Sequence, residues 1–138
     1  MESEVECLLF GIVTPLKSYR LCWFINQIFD LELKKIDDLV ITLHDKRKQL
    51  HFSRFRYEEQ ITMSAFFILE NKHDGEFLLP DIKKADFILF IKGTYYQAHR
   101  QAFMQKLKLI NEIQVVLPVE PKTLKSKSKI GLFDDDKG

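Results

Sequence analysis

Two short apolar runs, Cys7-Leu8-Leu9-Phe10-Gly11-Ile12-Val13 and Phe87-Ile88-Leu89-Phe90-Ile91, do most to limit what this chain can become. Neither approaches the roughly 20 residues needed to cross a bilayer. The first lacks the polar alternation of a half-exposed strand, so it predicts a strand covered on both faces; the second predicts a central strand. With 138 residues there is room for one ordinary domain. Twelve phenylalanines, each worth about 1.5–3 kcal/mol when fully buried, supply a main driving term for its folding.

Between and around these runs the pattern changes period. Thr14-Pro15 reads as a helix start, with threonine as cap and proline at the first helical position. The helix is predicted over 15–29 and mostly buried: Leu21, Phe24, Ile25 and Ile28 form a stripe that Leu16, Tyr19 and Trp23 widen. Strands are expected over 37–44, 50–57, 63–70 and 86–91. In the second of these the aromatic phase slips between Phe52 and Phe55, which calls for a bulge or coverage on both faces. Thr94 and Gln97 have capping-box spacing and open a second helix, with Tyr96, Phe103, Leu107 and Ile110 along one face. Ile113 to Leu117 is a last strand, stopped by Pro118 and Pro121. Residues 1–121 form one domain in this reading, and 122–138 a flexible lysine-rich tail. The order predicts an α+β two-layer sandwich, a mostly antiparallel sheet with two main helices, as a ferredoxin-like variant with extra strands.

Three stretches together resemble the IPExxxVDY family of small proteins found chiefly in Bacteroidetes. They are Tyr19-Arg20-Leu21-Cys22-Trp23-Phe24-Ile25-Asn26, Phe52-Ser53-Arg54-Phe55-Arg56-Tyr57-Glu58 and Leu79-Pro80-Asp81-Ile82-Lys83-Lys84-Ala85-Asp86-Phe87. In the last, which corresponds to the name-giving motif, only Pro80 and Asp86 keep the motif's letters. Leu79, Asp81, Ala85 and Phe87 are conservative stand-ins. The resemblance implies a cytoplasmic single domain and brings no activity, cofactor or catalytic residues. Phe87 replaces the motif's tyrosine, so no hydroxyl chemistry resides there, and the ring is expected to fill the core. Pro80 fixes the backbone before a tight turn. Asp81 and Asp86 are expected to bond nearby backbone amides and hold that turn, a structural role.

Reaction-ready clusters are hard to find. Asp37-Asp38, or Asp81 with Asp86, could pair as acid and base, but Asp37-Asp38 precedes an apolar strand and reads as a turn. His44, His51, His73 and His99 lack zinc-site spacing; His44 and His51 flank one hairpin as an ordinary surface pair. No Gly-x-Ser-x-Gly is present, and five unclustered glycines build no phosphate cradle. The strongest ambiguous signal is Arg54, Phe55, Arg56 and Tyr57, basic and aromatic residues interleaved as on a nucleic-acid-binding sheet. Strand core with solvated arginines is the preferred explanation.

Net charge of +1, from 21 basic and 20 acidic residues, offers no field to gather nucleic acid or anionic membrane. The tail holds a slight excess: Lys122, Lys125, Lys127, Lys129 and Lys137 against Asp134, Asp135 and Asp136. Cys7 and Cys22 read as isolated buried thiols in a reducing compartment. The acidic start, Met1 to Glu6, is unlike a secretory signal. A cytoplasmic, non-enzymatic interaction module without cofactor or metal is therefore expected. Its partner is a protein, a second copy included, met through a strand edge or helix face. The alternatives are a nucleic-acid accessory protein and a small-ligand regulatory domain.

Overall fold

The first apolar run is strand β1 (Cys7–Val13), buried along nearly its whole length, in a computed structural model that describes residues 7–134. Helix α1 (Ser18–Phe29) follows. Strands β2 (Lys34–Leu43), β3 (Lys48–Glu59) and β4 (Ser64–Glu70) come next, then a two-residue hairpin pair, β5 (Lys72–His73) and β6 (Glu76–Phe77). Central strand β7 (Phe87–Lys92), helix α2 (Arg100–Leu107) and strand β8 (Val115–Val119) complete the order, with short 3₁₀ turns at Pro80–Ile82, Tyr95–Gln97, Pro121–Thr123 and Lys127–Leu132. The acidic start, residues 1–6, and Asp135, Asp136 and Lys137 of the tail lie outside the described residues.

Six strands form one sheet in the order β2-β3-β4-β7-β1-β8, and every neighbouring pair is antiparallel. The fold class is the expected α+β. Strands β8, β1, β7 and β4 take the ferredoxin-like order; the chain leaves α1 for the far edge and returns through β2 and β3 as the added strands. Edge position also explains Pro118. It does not stop β8 but sits within it, opposite Phe10, where a missing amide donor is tolerated.

Side chains alternate strictly between two cores. Leu8, Phe10 and Ile12 of β1, Phe66 and Ile68 of β4, and Leu89 and Ile91 of β7 meet Leu21, Ile25, Phe103 and Leu107 of the helices. Leu9, Phe67, Leu69, Ile88 and Phe90 point the other way, into a second core with Phe52 and Leu79. The apparent slip in β3 is resolved here: Phe52 belongs to one core and Phe55 to the other. The bulge lies instead in β2. Ile36 pairs with Arg54 and Leu39 with Phe52, so Asp37-Asp38 contributes one extra residue.

The segment expected as a loose tail is packed as far as it is described. Leu124, Ile130 and Phe133 are buried in the second core, and Phe133 stands edge-on to Phe90 at 5.4 Å between centroids. Gly11 lets the 79–85 loop come close: a Cβ there would lie 3.0 Å from the Ala85 Cβ and 3.3 Å from Ile82.

Both helix starts differ from expectation. Lys17 is the N-cap of α1, without a side-chain bond. Thr14 Oγ1 accepts from the Leu16 amide at 3.2 Å and donates to the Glu112 carbonyl at 2.7 Å. The Thr14-Pro15 pair therefore ties a loop and does not begin the helix. Nor does Thr94 form a capping box: a 3₁₀ turn intervenes, and Gln97 Nε2 donates to the Gly93 carbonyl at 3.3 Å. Burial of α1 is also one-sided. Leu21, Cys22 and Ile25 are buried, while Tyr19 is 63% and Trp23 50% exposed.

Candidate functional site

Alternation along β3 separates the four residues that looked like a binding surface. Phe55 is buried in the helix-side core, and Tyr57 packs half-buried against it. Arg54 points to the opposite face and is only 2% exposed. Its Nε donates to the Asp37 carbonyl at 2.9 Å and its Nη1 to the Phe133 carbonyl at 2.9 Å. One guanidinium thus fastens both the bulge of β2 and the C-terminal segment. Arg56 is half-buried, with its guanidinium 2.5 Å from the Glu58 carboxylate and 5.8 Å from the Phe67 ring centre. Arg54, Phe55, Arg56 and Tyr57 are not one exposed patch, and Arg54 in particular is a structural cation.

The 79–86 segment is a junction. Pro80 opens its 3₁₀ turn. The Asp86 carboxylate accepts from the Thr14 amide at 2.9 Å and from Lys72 Nζ at 3.0 Å. Asp81 accepts from the amides of Lys125 at 2.7 Å and Ser126 at 3.3 Å, and from the Ser126 hydroxyl at 2.5 Å. Both aspartates were expected to bond nearby amides, but the Thr14, Lys125 and Ser126 amides that donate to them belong to distant segments. The Ser126 hydroxyl, then the Lys125 amide, hold the Asp81 carboxyl below its ordinary value. The turn of residues 79–85 is held by Asn71, which no motif in the sequence singled out. Asn71 is fully buried. Its Nδ2 donates to the Ile82 carbonyl at 3.1 Å and the Ala85 carbonyl at 3.0 Å, while its Oδ1 accepts from the Leu79 amide at 2.8 Å. Phe87 fills the helix-side core.

Beside Asp86, the β1–α1 loop and the ends of β4 and β7 frame an open groove of about 460 Å³, lined by Lys17, Tyr19, Glu70, Lys72, Asp86 and Phe87 among others. Its carboxylates are already engaged: Asp86 as above, and Glu70 Oε1 by the Ser53 amide at 3.2 Å. The groove runs onto the outer face of α1. There Tyr19 and Trp23 are exposed one turn apart. The Arg20 guanidinium lies 5.4 Å from the Trp23 ring centre and 5.1 Å from that of Phe24, within cation–π range. This aromatic surface is what the sequence reading missed, having folded Tyr19 and Trp23 into the buried stripe. Their i, i+4 spacing, offset by two residues and so on nearly the opposite side of the helix from the Leu21–Ile25 line, was the available signal.

The other candidates disperse. His51 meets His73, whose Nδ1 accepts from the His51 amide at 2.9 Å, and not His44, which lies exposed in the β2–β3 turn. Among the described residues, no three His, Cys, Asp or Glu side chains gather as a metal site would require. Burial pushes the Cys7 thiol up to about 11 and the Cys22 thiol to about 12, far from a reactive thiolate. The two sit in different cores, on opposite faces of the sheet. Tyr96 donates to Glu59 Oε1 at 2.7 Å; burial first, then Glu59, raise its pKa. No helix among the described residues is long and apolar enough to cross a membrane.

No family model matches this chain. No curated protein matches it either.

Proposed function

We propose that the chain is a non-enzymatic interaction module that binds a protein through the outer face of α1, with a second copy of itself as the first partner to test. The observation that carries this reading is the exposed Tyr19–Trp23 pair with Arg20 against the tryptophan. Aromatic side chains and arginine dominate the energetic centres of protein interfaces. The groove beside them adds relief to an otherwise convex helix surface. Growth through a strand edge has less to support it. Edge strand β2 carries the Asp37-Asp38 bulge and begins with Lys34-Lys35, while β8 contains Pro118. Bulges, edge lysines and proline all oppose strand addition. The likeness to the IPExxxVDY proteins, which brings no activity with it, is compatible with a binding role.

The nucleic-acid alternative draws no support from Arg54 or Phe55, which are buried, nor from Arg56, which faces Glu58. A small-ligand domain would need room between sheet and helices. That space holds the Phe10, Phe103 and Phe29 rings, with centroids 5.9 and 4.2 Å apart along the series. Size-exclusion chromatography with light scattering tests the favoured reading. The wild-type mass should rise with concentration, and Trp23→Ala should lower the mass reached at each concentration. A wild type that stays monomeric over the whole range removes self-association through this face.

A further inference from the structure

The C-terminal segment closes the second core without joining the sheet's hydrogen-bond ladder. After β8 ends at Val119, the segment crosses the sheet face to reach Arg54 on β3. Among the described residues, its backbone–backbone hydrogen bonds beyond β8 are local: Thr123 to Glu120, Leu124 to Pro121, Lys129 to Ser126 and Phe133 to Ile130. Side chains make the polar ties to the body. Asp81 takes the Lys125 and Ser126 amides, Arg54 the Phe133 carbonyl, and Lys129 Nζ donates to the Leu78 carbonyl at 3.0 Å. Between these ties Leu124, Ile130 and Phe133 are inserted into the apolar face. Glu120-Pro121 joins the segment to an edge strand, where it can swing away without breaking a strand pair. Leaving the face bare would expose Phe90, Phe67 and Leu9 to water, so an open strap has strong reason to be replaced by another of the same shape.

We propose that residues 121–134 are an exchangeable strap, and that the face beneath them accepts the same segment of a second copy of this chain. Every tie just described can be made by a strap arriving in trans, because each joins the strap to the body and none depends on which chain supplies it. Exchange of an identical element is a low-cost route to a dimer. The donors already seated on the body favour this occupant: Asp81 takes the Lys125 and Ser126 amides and the Ser126 hydroxyl, and the Leu78 carbonyl takes Lys129 Nζ, all of which the strap of a second copy presents in the same order. This surface lies across the sheet from α1, so it stands or falls independently of the interface proposed above.

A labelled peptide of residues 120–138, followed by fluorescence anisotropy with the full chain, tests the exchange. In the wild-type chain the tethered strap competes at an effective concentration on the order of millimolar, so the peptide should bind weakly. A chain carrying Phe133→Ala has a loosened strap and an intact body, and should bind the wild-type peptide about tenfold tighter or more. Adding Asp81→Asn to that chain should remove much of the gain, while Trp23→Ala should leave it unchanged. A Phe133→Ala chain with native circular dichroism and no gain in peptide affinity overturns the proposal. Should that variant fail to fold, Ser126→Ala removes one tie only. A smaller gain in the same direction then supports exchange, and no gain overturns it.

Discussion

On one side of the sheet, two helices bring their own backbone hydrogen bonds and close the core with rings. Phe103 lies against Phe10, Phe29, Phe66 and Tyr96, with centroids 4.2–6.3 Å away. On the other side, irregular segments do the closing, and polar side chains must satisfy the backbone groups that no helix or strand satisfies. Asn71, Asp81 and Arg54 do this, each bonding residues far away in the chain. Packing of this second kind depends on few, separable ties, and its members open with different ease.

The contrast can be broken most forcefully from the helix side. Phe103→Ala should cost about 3–5 kcal/mol, as a large buried ring removed from a close-packed cluster, measured by urea unfolding. Asn71→Ala should cost about 2–3 kcal/mol, because it leaves buried carbonyls and an amide without partners. Loss of the 79–85 loop's amide protection in hydrogen exchange should accompany that cost. A value near zero for Asn71 would mean that the loop is held by packing alone.

Smaller effects sharpen the comparison. Asp81→Asn should change global stability by about 1 kcal/mol or less, since the carboxylate is exposed and screened, yet it should loosen the strap locally. The sign with pH follows from its lowered pKa. Its contribution is complete above the ordinary aspartate value and disappears as pH falls through the depressed folded value. Protection factors over 124–133, taken relative to intrinsic exchange at each pH, should therefore fall in acid in the wild type, with a weaker step in Asp81→Asn. The two thiols report the faces separately. Cys7 is in the strap-side core and Cys22 in the helix-side core. Maleimide should label Cys7 first in the native protein, and Asp81→Asn should hasten Cys7 but not Cys22. Equal rates would show that both faces open together. Trp23→Ala, at a half-exposed position, should shift stability by about 0.5 kcal/mol or less.

What could be read in advance follows the same division. The helix-side core was legible because period alone reveals it: Leu21–Ile25 and Phe103–Leu107 recur at helical spacing, and the strands alternate. The strap was not. Leu124, Ile130 and Phe133 have no common period and stand among lysines and serines, a composition that reads as solvated chain. Arg54 misled for a related reason, since an arginine is seldom buried unless carbonyls or carboxylates from elsewhere await it, and those came from residues 37 and 133. Asp81 and Asp86 were expected to bond nearby amides, whereas the donors at Thr14, Lys125 and Ser126 were out of reach of any local rule. Tyr19 and Trp23 went astray because aromatic residues on a helix are most often assigned inward.

The kinked border at Asp37-Asp38 and the proline at the opposite border have a consequence for crowded solutions. A sheet whose two margins both resist a new neighbour cannot lengthen sideways into a fibre. Larger assemblies of this chain are then left to contacts between faces and to exchanged straps.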